Sequence, residues 1–151
     1  EGLRVLELGA GARGAPGLAA AAAGAAAVVL TDLPDPPEVL RALRLAAGRS
    51  GGGPTAGRCE VTALPLPWGD PPPEAATAPD VVLGADVLYD SALFDDILAT
   101  VSFCLSPKPA TARFVTAYQH RAAHFALGLA MERWGLEVER TKEVPAAAHV
   151  E

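Results

Sequence analysis

Glu7 closes a short apolar run, Leu3-Arg4-Val5-Leu6-Glu7-Leu8, and the turn Gly9-Ala10-Gly11-Ala12-Arg13-Gly14 follows at once. A second apolar run, Ala25 to Leu30, ends at Thr31-Asp32. Strand, glycine-rich turn, helix, strand and acid, in that order, are the layout of a nucleotide-type site. The glycines let the backbone approach a ligand that a Cβ would block. An acid in the place of Asp32 can accept both hydroxyls of a ribose. Glu7 bears on the choice of ligand. Dinucleotide sites hold a pyrophosphate at the helix N-terminus, where a neighbouring carboxylate repels it. A cofactor with a cationic amino-acid end is attracted instead, and S-adenosylmethionine carries an ammonium and a sulfonium there. These residues therefore favour S-adenosylmethionine over NAD(P). A glycine turn that holds no ligand is the remaining alternative.

The elements that must position these residues alternate along the chain. Strand one is read at Arg4 to Leu8, and a helix from Pro16, suited to a first helical turn, to Ala23, ended by Gly24. Strand two is read at Ala27 to Thr31. Pro36-Pro37 opens a helix over Glu38 to Ala47, with Val39, Leu40, Leu43 and Ala47 on one face. A glycine-rich loop, Gly48 to Gly57, leads to a short strand at Arg58 to Thr62, and a proline-dense loop from Leu64 to Thr77 carries Trp68-Gly69-Asp70. Strand four, Asp80 to Ala85, is apolar without alternation, as a strand covered on both faces should be. Ser91 to Leu105 reads as a helix with Leu93, Ile97, Val101 and Cys104 on one face. Strand five (Arg113 to Ala117), a helix (His120 to Trp134) and a sixth strand (Leu136 to Arg140) complete the reading. Right-handed crossovers then give an α/β fold: a Rossmann-like, doubly wound, mostly parallel sheet with helices on both faces. Ligands bind such sheets beyond the carboxyl ends of the strands. Glu7, Asp32, Asp86 and Tyr118 all fall on that edge.

Composition bounds the partners. The 151 residues fit one domain, with 50% hydrophobic residues, 5% aromatics and a formal charge of −6. This balance disfavours a broad electrostatic grip on nucleic acid or an anionic membrane and suits a basic protein or peptide. Cys59 and Cys104 form no C-x-x-C pair, which points to a reducing compartment, cytoplasmic or nuclear, without a zinc site or disulfide framework. His120, His124 and His149 lack metal-ligand spacing, so no metal is expected. No segment has a membrane-spanning apolar run. Alanine, glycine, proline and arginine are abundant, and lysine occurs only at Lys108 and Lys142; the bias reads as mutational pressure on the coding sequence.

Val5-Leu6-Glu7-Leu8-Gly9-Ala10-Gly11, Leu30-Thr31-Asp32, Trp68-Gly69 and the run from Asp80 to Asp90 resemble the seven-β-strand methyltransferases of the family 16 protein methyltransferase group. Phe94 to Phe103, Thr116-Ala117-Tyr118-Gln119-His120-Arg121 and Arg133-Trp134-Gly135-Leu136 look like its methyltransferase-like protein 23 branch. The resemblance implies a class I methyltransferase that uses S-adenosylmethionine. It implies that Gly9 and Gly11, with Ala10 between them, hold the methionine end, with Glu7 near the ammonium. Asp32 would bind the ribose, Trp68 would pack by the adenine, and Ala85 would line the pocket. Asp86 and Tyr89, matching a D-x-x-Y pattern, would face the target nitrogen. Tyr118 and Arg121 would touch substrate. The implied substrate is a protein, such as a histone or a chaperone-type protein, methylated on lysine or arginine.

Each residue also has a plainer reading. Asp86 can cap the following helix, as Asp90 and Ser91 can. Tyr89 can be a core aromatic, Trp68 a loop anchor, and Arg121 a surface ion-pair partner. The segment from Gly-x-Gly to Pro16-Gly17 is one residue longer than usual for the group, which leaves the role of Gly14 open. The chain starts at strand one, and His149-Val150-Glu151 looks like the start of the final strand. A sheet lacking its N-terminal segment and most of its last strand is the expectation. A degenerate fold serving as a protein-binding scaffold is the alternative to an enzyme, and an NAD(P)-binding oxidoreductase is a lesser one.

Overall fold

The computed structural model describes residues 2–50, 59–119 and 124–143. Five parallel strands, β1 (Arg4–Leu8), β2 (Ala27–Asp32), β3 (Glu60–Pro65), β4 (Val81–Ala85) and β5 (Arg113–Ala117), form one sheet in the order β3-β2-β1-β4-β5. The order reverses between β1 and β4, which opens the crevice where such sheets take ligands. Four α-helices accompany them: α1 (Ala15–Ala22), α2 (Pro37–Ser50), α3 (Phe94–Leu105) and α4 (His124–Arg133).

Strand alternation divides the core in two. Leu6, Leu8 and Val82 face one way and pack with Ile97, Leu98 and Val101 of α3 and Leu127 and Ala130 of α4. Val5, Val28 and Leu30 face the other way, with Ala21 of α1 and Leu40, Leu43 and Ala47 of α2. The doubly wound α/β architecture is as expected, and all five strands are parallel.

The differences are local. The strand read at Arg58 to Thr62 lies at Glu60–Pro65, because its apolar positions pair with β2 in the register Val28↔Val61 to Asp32↔Pro65. The helix read to Ala47 continues to Ser50, which extends the expected element by one turn into the glycine-rich segment. The helix read from Ser91 begins with a 3-10 turn over Ser91–Leu93, capped by Asp90 Oδ1 accepting from Ala92 N at 2.9 Å. Leu136 to Arg140 is not a strand: it has no ladder partner among the described residues, and a side-chain ion pair of Glu139 with Arg113 links it to β5. The expected start of the helix at His120 and the expected final strand at His149-Val150-Glu151 lie outside the described residues.

At the amino edge of the sheet Asp80 uses all of its polar groups. Its N–H donates to Arg4 O at 2.8 Å and its carbonyl accepts from Arg113 N at 3.1 Å. Its Oδ2 accepts from Arg4 N at 2.8 Å, and its Oδ1 pairs with Lys108 Nζ at 2.6 Å. The Arg4 amide and Lys108 hold the Asp80 carboxyl below the usual carboxylate range. One residue thereby joins β1, β4, β5 and the loop after α3.

Candidate functional site

The site is built at the opposite, carboxyl edge. The glycine turn leaves β1 with Gly9 at φ 61° and Gly11 at φ 60°, a region that residues with a Cβ rarely adopt. A Cβ on Gly9 would stand 2.9 Å from Val87 Cγ1 and 3.2 Å from Trp68 Cζ2. Gly9 therefore lets the segments after β3 and β4 close over the turn. A Cβ on Gly11 would meet nothing within 4 Å, so that side of the turn is open to a ligand. Gly14 is left-handed at the N-cap of α1, and a Cβ there would press on Leu30 and Leu43 at 2.9 Å. The role of Gly14 in this turn is the left-handed cap.

Glu7 lies on the α1 side of the sheet and is 1% exposed. Its Oε2 accepts from the N–H of Gly17, in the first turn of α1, at 2.7 Å. Burial pushes the Glu7 carboxyl up to about 7, with the Gly17 bond opposing and the charge of Asp32 adding to the rise. What the fold gives Glu7 is a backbone partner: the carboxylate braces the glycine turn from beneath. Thr31 adds a second brace, its Oγ1 donating to Glu7 O at 2.7 Å.

Asp32 ends β2. Its Oδ2 accepts from Gly11 N at 2.6 Å and its Oδ1 from Leu33 N at 2.8 Å. Each carboxylate oxygen keeps further lone-pair capacity, so the same group can still accept ribose hydroxyls. Ala10 is tied to the same strand, its N–H donating to Thr31 O at 2.9 Å. The Gly9–Gly11 turn is thus held by β2 on two backbone N–H groups.

Trp68 and Tyr89 face each other across the turn, ring centroids 6.4 Å apart and planes at 55°. Tyr89 is 48% exposed, which sets aside the core-aromatic reading. Ala85 ends β4 opposite Ala117, and Asp86 follows at φ 55°, its N–H donating to Ala117 O at 2.7 Å. A left-handed aspartate stores strain of about 1–3 kcal/mol, and such strain concentrates at functional sites. The capping role falls to Asp90 and not to Asp86. Tyr118 follows β5 on the same edge and is partly buried against the α3 and α4 core. Arg121 lies outside the described residues.

The structure therefore brings Glu7, Gly9, Ala10, Gly11, Asp32, Trp68, Ala85, Asp86, Tyr89 and Tyr118 to one edge. An open glycine turn, an acid at the end of β2 and a buried acid beneath the turn fit a ribose-bearing cofactor whose cationic end would favour the ionised form of Glu7. Sequence reasoning missed Gly17, where a Cβ would lie 2.3 Å from Leu30 Cδ2 and 2.5 Å from Glu7 Oε2. A glycine within an alanine-rich helix was the available signal, since glycine costs about 1 kcal/mol there relative to alanine. Among the described residues no three His, Cys, Asp or Glu side chains are grouped to hold a metal, and no helix is long and apolar enough to cross a membrane.

The profile of a family described as lysine methyltransferase matches residues 1–126. The chain is similar to a histone-arginine methyltransferase METTL23 of Xenopus laevis, 37% identical over 51% of this chain and 33% of that protein. The METTL23 of Rattus norvegicus is 32% identical over 52% of this chain and 38% of that protein. The matched stretch thus spans little more than a third of these curated relatives. Two solved structures share the fold. One is a TehB-like SAM-dependent methyltransferase from Corynebacterium glutamicum, with a TM-score of 0.58 at 19% identity, over 89% of this chain and 65% of that one. The other is the magnesium protoporphyrin IX methyltransferase of Synechocystis with bound SAM, with a TM-score of 0.60 at 22% identity, over 93% and 62%. The chain belongs to the family described as lysine methyltransferase.

Proposed function

We propose that this chain transfers a methyl group from S-adenosylmethionine to a side-chain nitrogen, lysine or arginine, of a basic protein. The observation that carries the reading is the convergence of the open Gly9–Gly11 turn, Asp32, Asp86 and Tyr89 at the β1/β4 switch point. S-adenosylmethionine, when bound, supplies an already activated methyl on a sulfonium. The chain must then align the acceptor nitrogen in line with that methyl and exclude water. Gly9, Ala10 and Gly11 take the methionine end, Asp32 the ribose, and Trp68 and Ala85 line the cofactor pocket. Glu7 keeps the turn in shape, and the ammonium of a bound cofactor above it favours its ionised form.

Asp86 and Tyr89 orient the acceptor. An ionised carboxylate raises the pKa of an ammonium, so Asp86 holds a lysine by hydrogen bonds and leaves deprotonation to desolvation or a water path. For a guanidinium the same carboxylate can bind bidentately and localise charge on one nitrogen. The matched family, of lysine methyltransferases, supports lysine; the histone-arginine methyltransferase relatives support arginine in a histone. Tyr118 and Arg121 are read as substrate contacts. The net charge of −6 suits a basic partner such as a histone in the nucleus or cytoplasm.

Radiolabelled methyl transfer to a cell extract tests the reading. Label is expected in a discrete protein band, lost in Asp86→Ala and kept in Glu132→Ala on the exposed face of α4. Amino-acid analysis of the band separates methyl-lysine from methyl-arginine. Calorimetry adds the cofactor arm: S-adenosylhomocysteine binds and NADH does not. Cofactor binding without any transfer would favour the scaffold alternative, and label in small molecules alone would move the substrate away from protein.

A further inference from the structure

Trp68 lies in a loop after β3, yet its ring is seated closely on Gly9. We propose that Thr100, on α3, is a positioning residue for the cofactor site: its hydroxyl fixes the Trp68–Gly69 turn and thereby seats the Trp68 ring on the glycine turn. The link to the cofactor rests on the reading of that turn given under Proposed function.

Thr100 is fully buried at 0% exposure. Its Oγ1 donates to Asp96 O, one turn back in α3, at 3.0 Å. That bond alone satisfies a helical threonine hydroxyl as a donor. The oxygen makes a second bond, accepting from the N–H of Gly69 at 2.8 Å, and this one crosses between elements. The turn it captures is closed by Asp70 N donating to Pro67 O at 3.3 Å, with Gly69 at φ 89° in the third position, as type II turns require.

The other side of Gly69 also rests on α3. A Cβ there would lie 3.3 Å from Asp96 Oδ1. The turn is therefore held against the helix by its N–H and by its Cα face. Trp68, one residue back, has little freedom left to leave Gly9, and Tyr89 borders it on the far side. α3 is itself tied to α4: Asp95 is ion-paired with Arg133 and accepts from Trp134 Nε1 at 3.1 Å. A chain of contacts thus runs from the outer helix layer to the glycine turn. Valine would fill the volume of Thr100 in this apolar layer and puts a methyl where the hydroxyl donates to Asp96 O and accepts from Gly69 N; of the two bonds only the second crosses to the Trp68 turn.

The test uses Thr100→Val, Thr100→Ala and Thr100→Ser in a Trp134→Phe background, where Trp68 is the single indole of a chain with two tryptophans. Trp68 emission is read without ligand, and S-adenosylhomocysteine affinity is read by calorimetry. Thr100→Val is expected to shift Trp68 emission to the red and weaken binding about fivefold, as the loss of one hydrogen bond allows. Thr100→Ser is expected to restore both. A merely structural role would lower the melting temperature and leave both readouts of the folded protein where they were, which overturns the proposal. Thr100→Ala supplies the same comparison if the valine variant fails to fold. If the wild-type chain does not bind S-adenosylhomocysteine, the cofactor reading fails, and Trp68 emission in the Trp134→Phe background still decides whether Thr100 seats the ring.

Discussion

The carboxylate of Glu7 and the backbone of Gly17 are within 2.7 Å of each other, and the absence of a side chain at Gly17 is what permits it. The bond joins the end of β1 to the first turn of α1, across the turn that forms the site. A buried, hydrogen-bonded acid and a helical glycine are each unfavourable alone. Together they fix how closely α1 approaches the sheet.

The first prediction follows from the proton on Glu7. Its folded pKa, about 7, lies above the ordinary 4.5. Between those values the folded chain binds more protons than the unfolded chain, so stability falls as pH rises through this window. The loss is about 3 kcal/mol at most, present in full above the folded pKa and absent below the unfolded one. Urea unfolding at pH values on either side of the window should show this decline in wild type and a smaller one in Glu7→Gln. Equal declines would remove Glu7 as the cause.

Gly17→Ala and Gly11→Ala should separate crowding from backbone strain. Alanine at Gly17 forces Leu30 and Glu7 aside, and overpacking of this kind costs about 1–3 kcal/mol. Alanine at Gly11 meets no atom and carries only the left-handed penalty, about 1–2 kcal/mol. Thermal melts should therefore drop in both. Cofactor affinity should fall more in Gly11→Ala, because the added methyl points into the open side of the turn.

Asp32→Ala should weaken S-adenosylhomocysteine binding by about 1–3 kcal/mol, the range for hydrogen bonds to a charged group. The variant also frees the N–H groups of Gly11 and Leu33. Calorimetry beside a melting curve distinguishes loss of ribose contact from loss of the turn. An unchanged affinity would take Asp32 out of the site.

Asp86→Gly should raise stability and abolish methyl transfer together. Glycine relieves the left-handed strain at φ 55°, worth about 1 kcal/mol, and removes the carboxylate proposed to hold the acceptor. Asp86→Asn keeps an acceptor oxygen and should retain partial transfer. A stable glycine variant with full activity would dissociate Asp86 from the reaction.

Thr116→Val should be neutral or stabilising by about 1 kcal/mol, because the buried Thr116 hydroxyl has no hydrogen-bond partner among the described residues. Chemical denaturation checks it. A marked loss of stability would mean that the hydroxyl has a role the fold alone does not require.

Much of this fold was legible in the sequence because its signals are local. β1, β2, β4 and β5 are apolar runs bounded by turn residues, and Gly9, Gly11 and Asp32 follow a spacing set by one strand-turn-helix unit. Residues whose importance depends on contact across elements were not legible. Gly17 matters through Glu7 and Leu30, and Thr100 through Gly69, and neither pair is close in the chain. The strand read at Leu136 to Arg140 failed for the same reason: alternation gives a strand its face, but a ladder needs a neighbour in register, and this segment has none among the described residues.

The fourfold use of Asp80 has a consequence for how this architecture tolerates change. β1, β4 and β5 are tied at their amino ends, where Arg4, Lys108 and Arg113 meet one aspartate. None of these bonds involves a residue of the loops at the other end, so an exchange of side chains there leaves all four in place. The glycine turn on that rim enters α1 through a left-handed Gly14 while β1 keeps its register with β2 and β4. Selection for new acceptors can therefore act on one rim of the molecule while the opposite rim keeps the frame.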